Sequence, residues 1–196
     1  MLRGNKGEWS EVYVLLKLLA EGRVYAADQN LKAIEDICYP ILKIIREEVK
    51  GQLKKYITGD NIKIYINNKK YKEISKKRFL NESAILLCEL RDTKHKGAFQ
   101  IPKTEKFMKE ISCMKLSAPA SDKTDIVMKI IDVNTGYKPT VGFSIKSELG
   151  ALPTLLNAGK TTNFIYKINN VDMCVIKTVN KICRGECKMI CVNSFG

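Results

Sequence analysis

The alternation of apolar and polar positions divides the chain into elements of different period. After Glu8, the apolar residues Trp9, Val12, Leu16 and Leu19 recur at helical spacing until Gly22. This predicts an amphipathic helix closed by glycine. Glu8 and Glu11 stand three apart and share a face of that helix, where they would also suit the positive end of its dipole. Between residues 31 and 56 a second stripe, Ile34, Ile37, Ile41, Ile45, Val49 and Leu53, predicts another helical region, with Pro40 as a break or a new first turn. A different side carries Lys43, Arg46, Lys50 and Lys54, a basic row that reads either as a solvated face or as a set of phosphate contacts.

The period then shortens. Ile62, Ile64 and Ile66 alternate with polar residues, Asn67-Asn68 can turn, and residues 71–74 return, which predicts a hairpin. Helical spacing resumes at 79–90 and at 102–111, the latter with proline in a tolerated first-turn position. His95 lies between them in the Lys-rich loop TKHKG and reads as a solvated imidazole. Residues 125–132 and 141–147 read as two strands joined by the turn-like NTGYKP, followed by a short helix at 153–160 and a strand at 163–168. Helices, a meander, then helix and strand together predict a mixed α/β fold, expected as one domain over residues 1–196.

Charge changes this picture. Thirty-four Lys and Arg against 21 Asp and Glu give a formal net charge of +13, which favours a polyanionic partner, most economically nucleic acid. No run approaches the length of a membrane-spanning helix, and acidic residues occupy the place of a signal sequence's apolar region. A cytoplasmic protein is therefore expected. The seven cysteines include Cys183, Cys187 and Cys191 at a spacing unlike that of common zinc sites, with Cys174 upstream, so reduced thiols are expected.

The last hairpin also brings chemistry together. Asp125 and Lys146 have their midpoint inside the predicted turn, so their side chains should lie within one or two rungs of each other. Strand alternation places Ser144, Lys146 and Glu148 on one face. A carboxylate and an ammonium on adjacent strands make either a surface ion pair or a catalytic site.

The stretch TDIVMKIIDVNTGYKPTVGFSIKSELG, its continuation PTLLNAGKTTNF, the opening GNKGEWSEVYVLLKLLAEGRVYAAD and the intervening EDICYPILKIIREE resemble the HpaII restriction endonuclease family. The resemblance covers roughly residues 3 to 170, and it implies a longer protein with a further C-terminal part. It also implies the PD-(D/E)XK nuclease class, with a restriction-endonuclease-like core: a central mixed sheet flanked by helices.

In that pattern Asp125 matches the metal-binding aspartate and Lys146 the lysine. Ser144 stands where an acid is usual, and serine is a poor Mg²⁺ ligand. The zone of a displaced acid holds Asn157, Gly159 and Lys160. The third carboxylate is then expected from Glu11, with Glu8 and Glu148 as alternatives, and the Ile145 carbonyl as a further ligand. Lys115, Lys123 and Lys160 are candidate phosphate contacts beside Lys43, Arg46, Lys50 and Lys54. The implied activity is Mg²⁺-dependent cleavage of double-stranded DNA at a short palindrome, CCGG as the first guess, leaving a 5′-phosphate and a 3′-hydroxyl. A homodimer and a cognate DNA methyltransferase are implied partners. A nicking or repair nuclease of the same fold and an inactive DNA-binding fragment are the competing readings.

Overall fold

The computed structural model describes residues 1–95, 97–117, 124–149, 172–175 and 177. Contacts divide the chain into two compact units, Met1–Thr154 and Leu155–Gly196. In the second, residues 173–175 are helical. The helix expected at 153–160, the strand at 163–168 and Cys183, Cys187 and Cys191 lie outside the described residues. In the first unit the order is α1 (Lys6–Glu21), β1 (Arg23–Ala27), β2 (Ala33–Glu47), β3 (Leu53–Ile57), β4 (Asn61–Ile66), β5 (Lys69–Ser75), α2 (Lys76–Asp92), α3 (Pro102–Glu110), β6 (Ile126–Ile130) and β7 (Thr140–Phe143).

The fold is mixed α/β, as the sequence predicts. Its sheet runs β5-β4-β3-β2-β6-β7, with β1 paired to β2. Every pairing of named strands is antiparallel, where the resemblance implied a mixed sheet. Antiparallel sheets can bury one face and leave the other to water. Here the buried face carries Ile44, Tyr56, Ile62, Ile64 and Met128. Trp9, Leu16 and Leu19 of α1, Phe79 and Leu86 of α2, and Phe107 and Met108 of α3 pack into the same core. Trp9 Nε1 donates to the Phe99 carbonyl at 3.2 Å, so its one polar atom is satisfied inside.

Helix α1 begins and ends as its sequence directs. The Asn5 side chain accepts from the Glu8 amide while the Glu8 carboxylate accepts from the Asn5 amide, a reciprocal capping box. Gly22, at φ +69°, takes the left-handed conformation that closes the helix.

The region from residue 31 to 56 is the main correction. It forms strands β2 and β3, not a helix. Of the supposed stripe, Ile37 is 42% exposed and Val49 59% exposed. Leu31 takes φ +60°, a turn conformation that a helix does not allow. Ile and Val stiffen χ1 and favour the pleated surface of a sheet, and runs of them can mimic helical spacing by chance. Pro40 sits where β2 leaves β1 and takes up β6, a boundary at which losing one donor is tolerated.

Candidate active site

Strands β6 and β7 pair Ile126 with Phe143, Val127 with Gly142, Met128 with Val141 and Lys129 with Thr140. The turn is fixed by Asp132, whose Oδ1 accepts from the Asn134 amide at 3.0 Å and whose Oδ2 accepts from Thr135 Oγ1 at 2.8 Å. The Thr135 hydroxyl bond, then the Asn134 amide bond, hold the Asp132 carboxyl below its ordinary value. Asp125 immediately precedes β6 and Ser144 immediately follows β7, so the two flank the end of this ladder, and Lys146 lies two residues further along. The Asp125 amide donates to the Phe143 carbonyl at 3.0 Å, and the Ile145 amide donates to Asp125 Oδ2 at 2.6 Å. Asp125 is thus clasped to the residue next to Lys146. Gly142 is needed here because any Cβ would collide with the Thr124 side chain, which crosses β7 beside Asp125.

Alternation continues past the paired part of β7. Ser144, Lys146 and Glu148 are exposed, whereas Ile145, Ser147 and Leu149 are half-buried. Ile145 and Leu149 pack against the core, and the Ser147 hydroxyl meets the Ser10 hydroxyl of α1 at 2.9 Å. Ser10 Oγ also reaches the Lys6 carbonyl at 2.7 Å, so the first turns of α1 lie beside the Lys146 segment on its inward side. Glu11, the next residue, is half-buried. Burial works against the Arg46 charge, but the groups around it, Glu48 and Glu11 among them, outweigh that and raise its pKa. Glu8 is committed to the helix cap.

A second charged cluster lies under the other end of β2. Glu48 is 3% exposed and Lys54 1%. Lys54 Nζ donates to Glu48 Oε2 at 2.5 Å and to the Ser112 carbonyl at 2.5 Å. Arg46 Nε donates to Glu48 Oε1 at 3.3 Å, and its guanidinium also donates to the Lys115 carbonyl at 3.0 Å. The Met114 amide donates to Glu48 Oε2 at 2.9 Å. Burial alone would raise the Glu48 carboxyl, but Lys54, the Met114 amide and Arg46 together lower it. Cys113, sealed within the same loop, is pushed up to about 12 mainly by burial, so its thiol is inert.

A model of the HpaII restriction endonuclease family matches residues 5–190. The type II restriction enzyme HpaII of Haemophilus parainfluenzae is 42% identical over 182 residues, which cover 91% of this chain and 50% of that enzyme. The chain belongs to the HpaII restriction endonuclease family. It spans about half the length of this curated relative. No solved structure matches it.

For a member of the HpaII family, the structure sorts the expected site residues unevenly. It brings Asp125, Ser144 and Ile145 together on one hairpin, with Lys146 adjacent, and docks α1 alongside. Among the described residues no group of three or more His, Cys, Asp or Glu is placed to hold a metal. The basic row is broken: Arg46 and Lys54 are buried in the ion cluster, Lys43 points to the opposite sheet face, and Lys50 is exposed in the turn after β2. A strand alternates faces at every residue, so residues three or four apart do not share a side as they do on a helix. Lys115 is exposed; Lys123 and Lys160 lie outside the described residues. Sequence reading missed Glu48, Ser10 and Thr124. Glu48 was findable, since Ile44, Arg46 and Glu48 alternate once KIIREE is read as a strand. The other two carry no pattern of their own. No described helix is long and apolar enough to cross a membrane.

Proposed function

We propose that this chain forms the catalytic part of a type II restriction endonuclease that hydrolyses double-stranded DNA with Mg²⁺. The observation that supports this most directly is the clasp between Asp125 and Ile145, which sets a carboxylate next to Lys146 in a chain of the HpaII family. CCGG is the first recognition sequence to test. Reading a palindrome would require a two-fold dimer, and a cognate methyltransferase would protect the host's own sites.

The donor set fits a hard cation that keeps several of its waters. Mg²⁺ is commonly held by one or two carboxylates, and an ionised carboxylate retains acceptor capacity after taking one amide bond. Asp125 would hold it with Glu11, and the Ile145 carbonyl would complete the protein's share; Glu8 and Glu148 are the weaker alternatives. When bound, the ion supplies Lewis-acid polarisation of the scissile phosphate and favours hydroxide at neutral pH. Lys146 would orient or deprotonate the attacking water and offset charge developing on the phosphate. In-line attack leaves a 5′-phosphate and a 3′-hydroxyl.

Ser144, in place of the usual acid, favours a second reading, a DNA-binding chain that does not cut. Digestion of a sequenced plasmid with Mg²⁺ and mapping of the ends separates the two. Discrete fragments with 5′-phosphates support the endonuclease. Salt-sensitive DNA binding without cleavage supports the second reading, and nicks without a fixed site point to another nuclease of this fold.

A further inference from the structure

The two faces of the sheet differ in charge as well as in burial. Directly paired residues of antiparallel strands share a face. The register therefore traces one outward rung through Lys129 of β6, Lys43 of β2, Ile57 of β3 and Lys63 of β4 to Glu73 of β5, whose carboxylate is bound by Lys70 at 2.7 Å. The adjacent rung runs through Val127, Ile45, Lys55 and Tyr65 to Lys70 of β5. Every one of these side chains is half-buried or exposed, while the helices bury their residues against the opposite face. Asp125 and Ser144 flank the end of the β6–β7 ladder, and the alternation of exposure puts Lys146 on the side of Ser144.

We propose that this outward face is the surface on which the chain tracks the backbone of double-stranded DNA, with Lys43, Lys63 and Lys129 as phosphate contacts. The proposal rests on the endonuclease reading and adds to it where the duplex lies. Strands stand ~4.8 Å apart, so the rung from β6 to β4 spreads its lysines over ~14 Å, comparable to the ~12 Å width of a major groove. A duplex on this face meets the Asp125–Lys146 end of the same sheet without turning a corner. An ordinary solvated sheet face also carries lysines, and the experiment is chosen to tell the two apart.

Binding of a short duplex of fixed sequence is measured across a salt series without Mg²⁺, using the full chain and the triple variant Lys43→Gln, Lys63→Gln, Lys129→Gln. Each lost phosphate contact lowers the slope of log affinity against log salt by ~0.9, so a fall of ~2.7 is expected. A control triple removes the same charge from exposed lysines elsewhere, Lys94→Gln, Lys103→Gln and Lys106→Gln, and should leave the slope in place. The single Lys63→Gln variant, at an exposed position, should lower it by ~0.9 if the triple variant does not fold. An unchanged slope, an equal loss in the control, or no duplex binding by the parent chain overturns the proposal. The two readings fail separately: a chain that cuts DNA with an unaltered slope keeps the function and loses this surface. A chain that binds through these lysines but never cuts keeps the surface and loses the endonuclease.

Discussion

The structure holds two charged places on one sheet, Arg46–Glu48–Lys54 and the end of the β6–β7 hairpin, and they are built in opposite ways. At Arg46, Glu48 and Lys54 each charge is buried and each has protein partners, including the carbonyls of Ser112 and Lys115 and the amide of Met114. At Asp125 and Lys146 the carboxylate takes one backbone amide, the lysine is exposed, and the strand runs on with alternating exposure. A cluster this buried is closed to a substrate and serves to fix the loop it holds. At the hairpin end the Asp125 carboxylate keeps acceptor capacity beyond its one amide, and Lys146 stands exposed. Residue type does not separate the two; saturation and access do.

Substituting Asp125 or Lys146 tests this contrast hardest. Asp125→Ala and Lys146→Ala should each reduce cleavage by on the order of 10³-fold or more, leaving most DNA affinity and the unfolding midpoint in place. Glu11→Gln should do the same if Glu11 shares the metal. Near-normal cleavage in the Asp125 or Lys146 variant would remove the site from this hairpin.

The buried cluster predicts the converse, loss of stability rather than of chemistry. Glu48→Ala leaves Arg46 and Lys54 without their anion and should cost about 3–5 kcal/mol in denaturant unfolding. The sign of its pH dependence follows from the lowered carboxyl. The Glu48 contribution is complete above its ordinary value of 4.5 and is lost as pH falls through the lowered folded value. Glu48→Gln should therefore flatten the acid limb of the stability curve; an unchanged limb would show that the cluster is not coupled to folding.

A smaller effect sharpens the hairpin geometry. Gly142→Ala forces a methyl into the Thr124 side chain and should destabilise by about 1–3 kcal/mol. Cleavage should also fall, because Thr124 adjoins Asp125. Pairing Gly142→Ala with Thr124→Gly should recover both if the collision is the cause. The smallest change expected is at Glu8, where Glu8→Ala removes one half of the capping box for about 1 kcal/mol and leaves cleavage per folded molecule unchanged. A cleavage loss there without a stability loss would instead make Glu8 a metal ligand.

Legibility in the sequence was uneven for physical reasons. Helix α1 could be read because its stripe and terminal glycine are local signals, although its Asn5 cap was not read from the sequence. So could the β4–β5 and β6–β7 hairpins, where alternation and turn residues agree. The symmetry of a hairpin about its turn put Asp125 within one or two rungs of Lys146, and the structure bonds Asp125 to Phe143 and Ile145 at the end of that hairpin. The 31–56 region misled because isoleucines placed three and four apart satisfy helical spacing while their branched side chains favour a strand.

By itself, then, the sequence determined the family, the mixed α/β class, the limits of α1 and the hairpin that carries Asp125. These are carried by adjacent residues or by long motifs in order. The tertiary structure alone decided which lysines are available to a partner. Lys43 and Lys54 read alike along the chain, yet one lies on the outward face and the other is sealed against Glu48, because strand alternation and sheet register, not sequence spacing, assign a side chain to water or to the core.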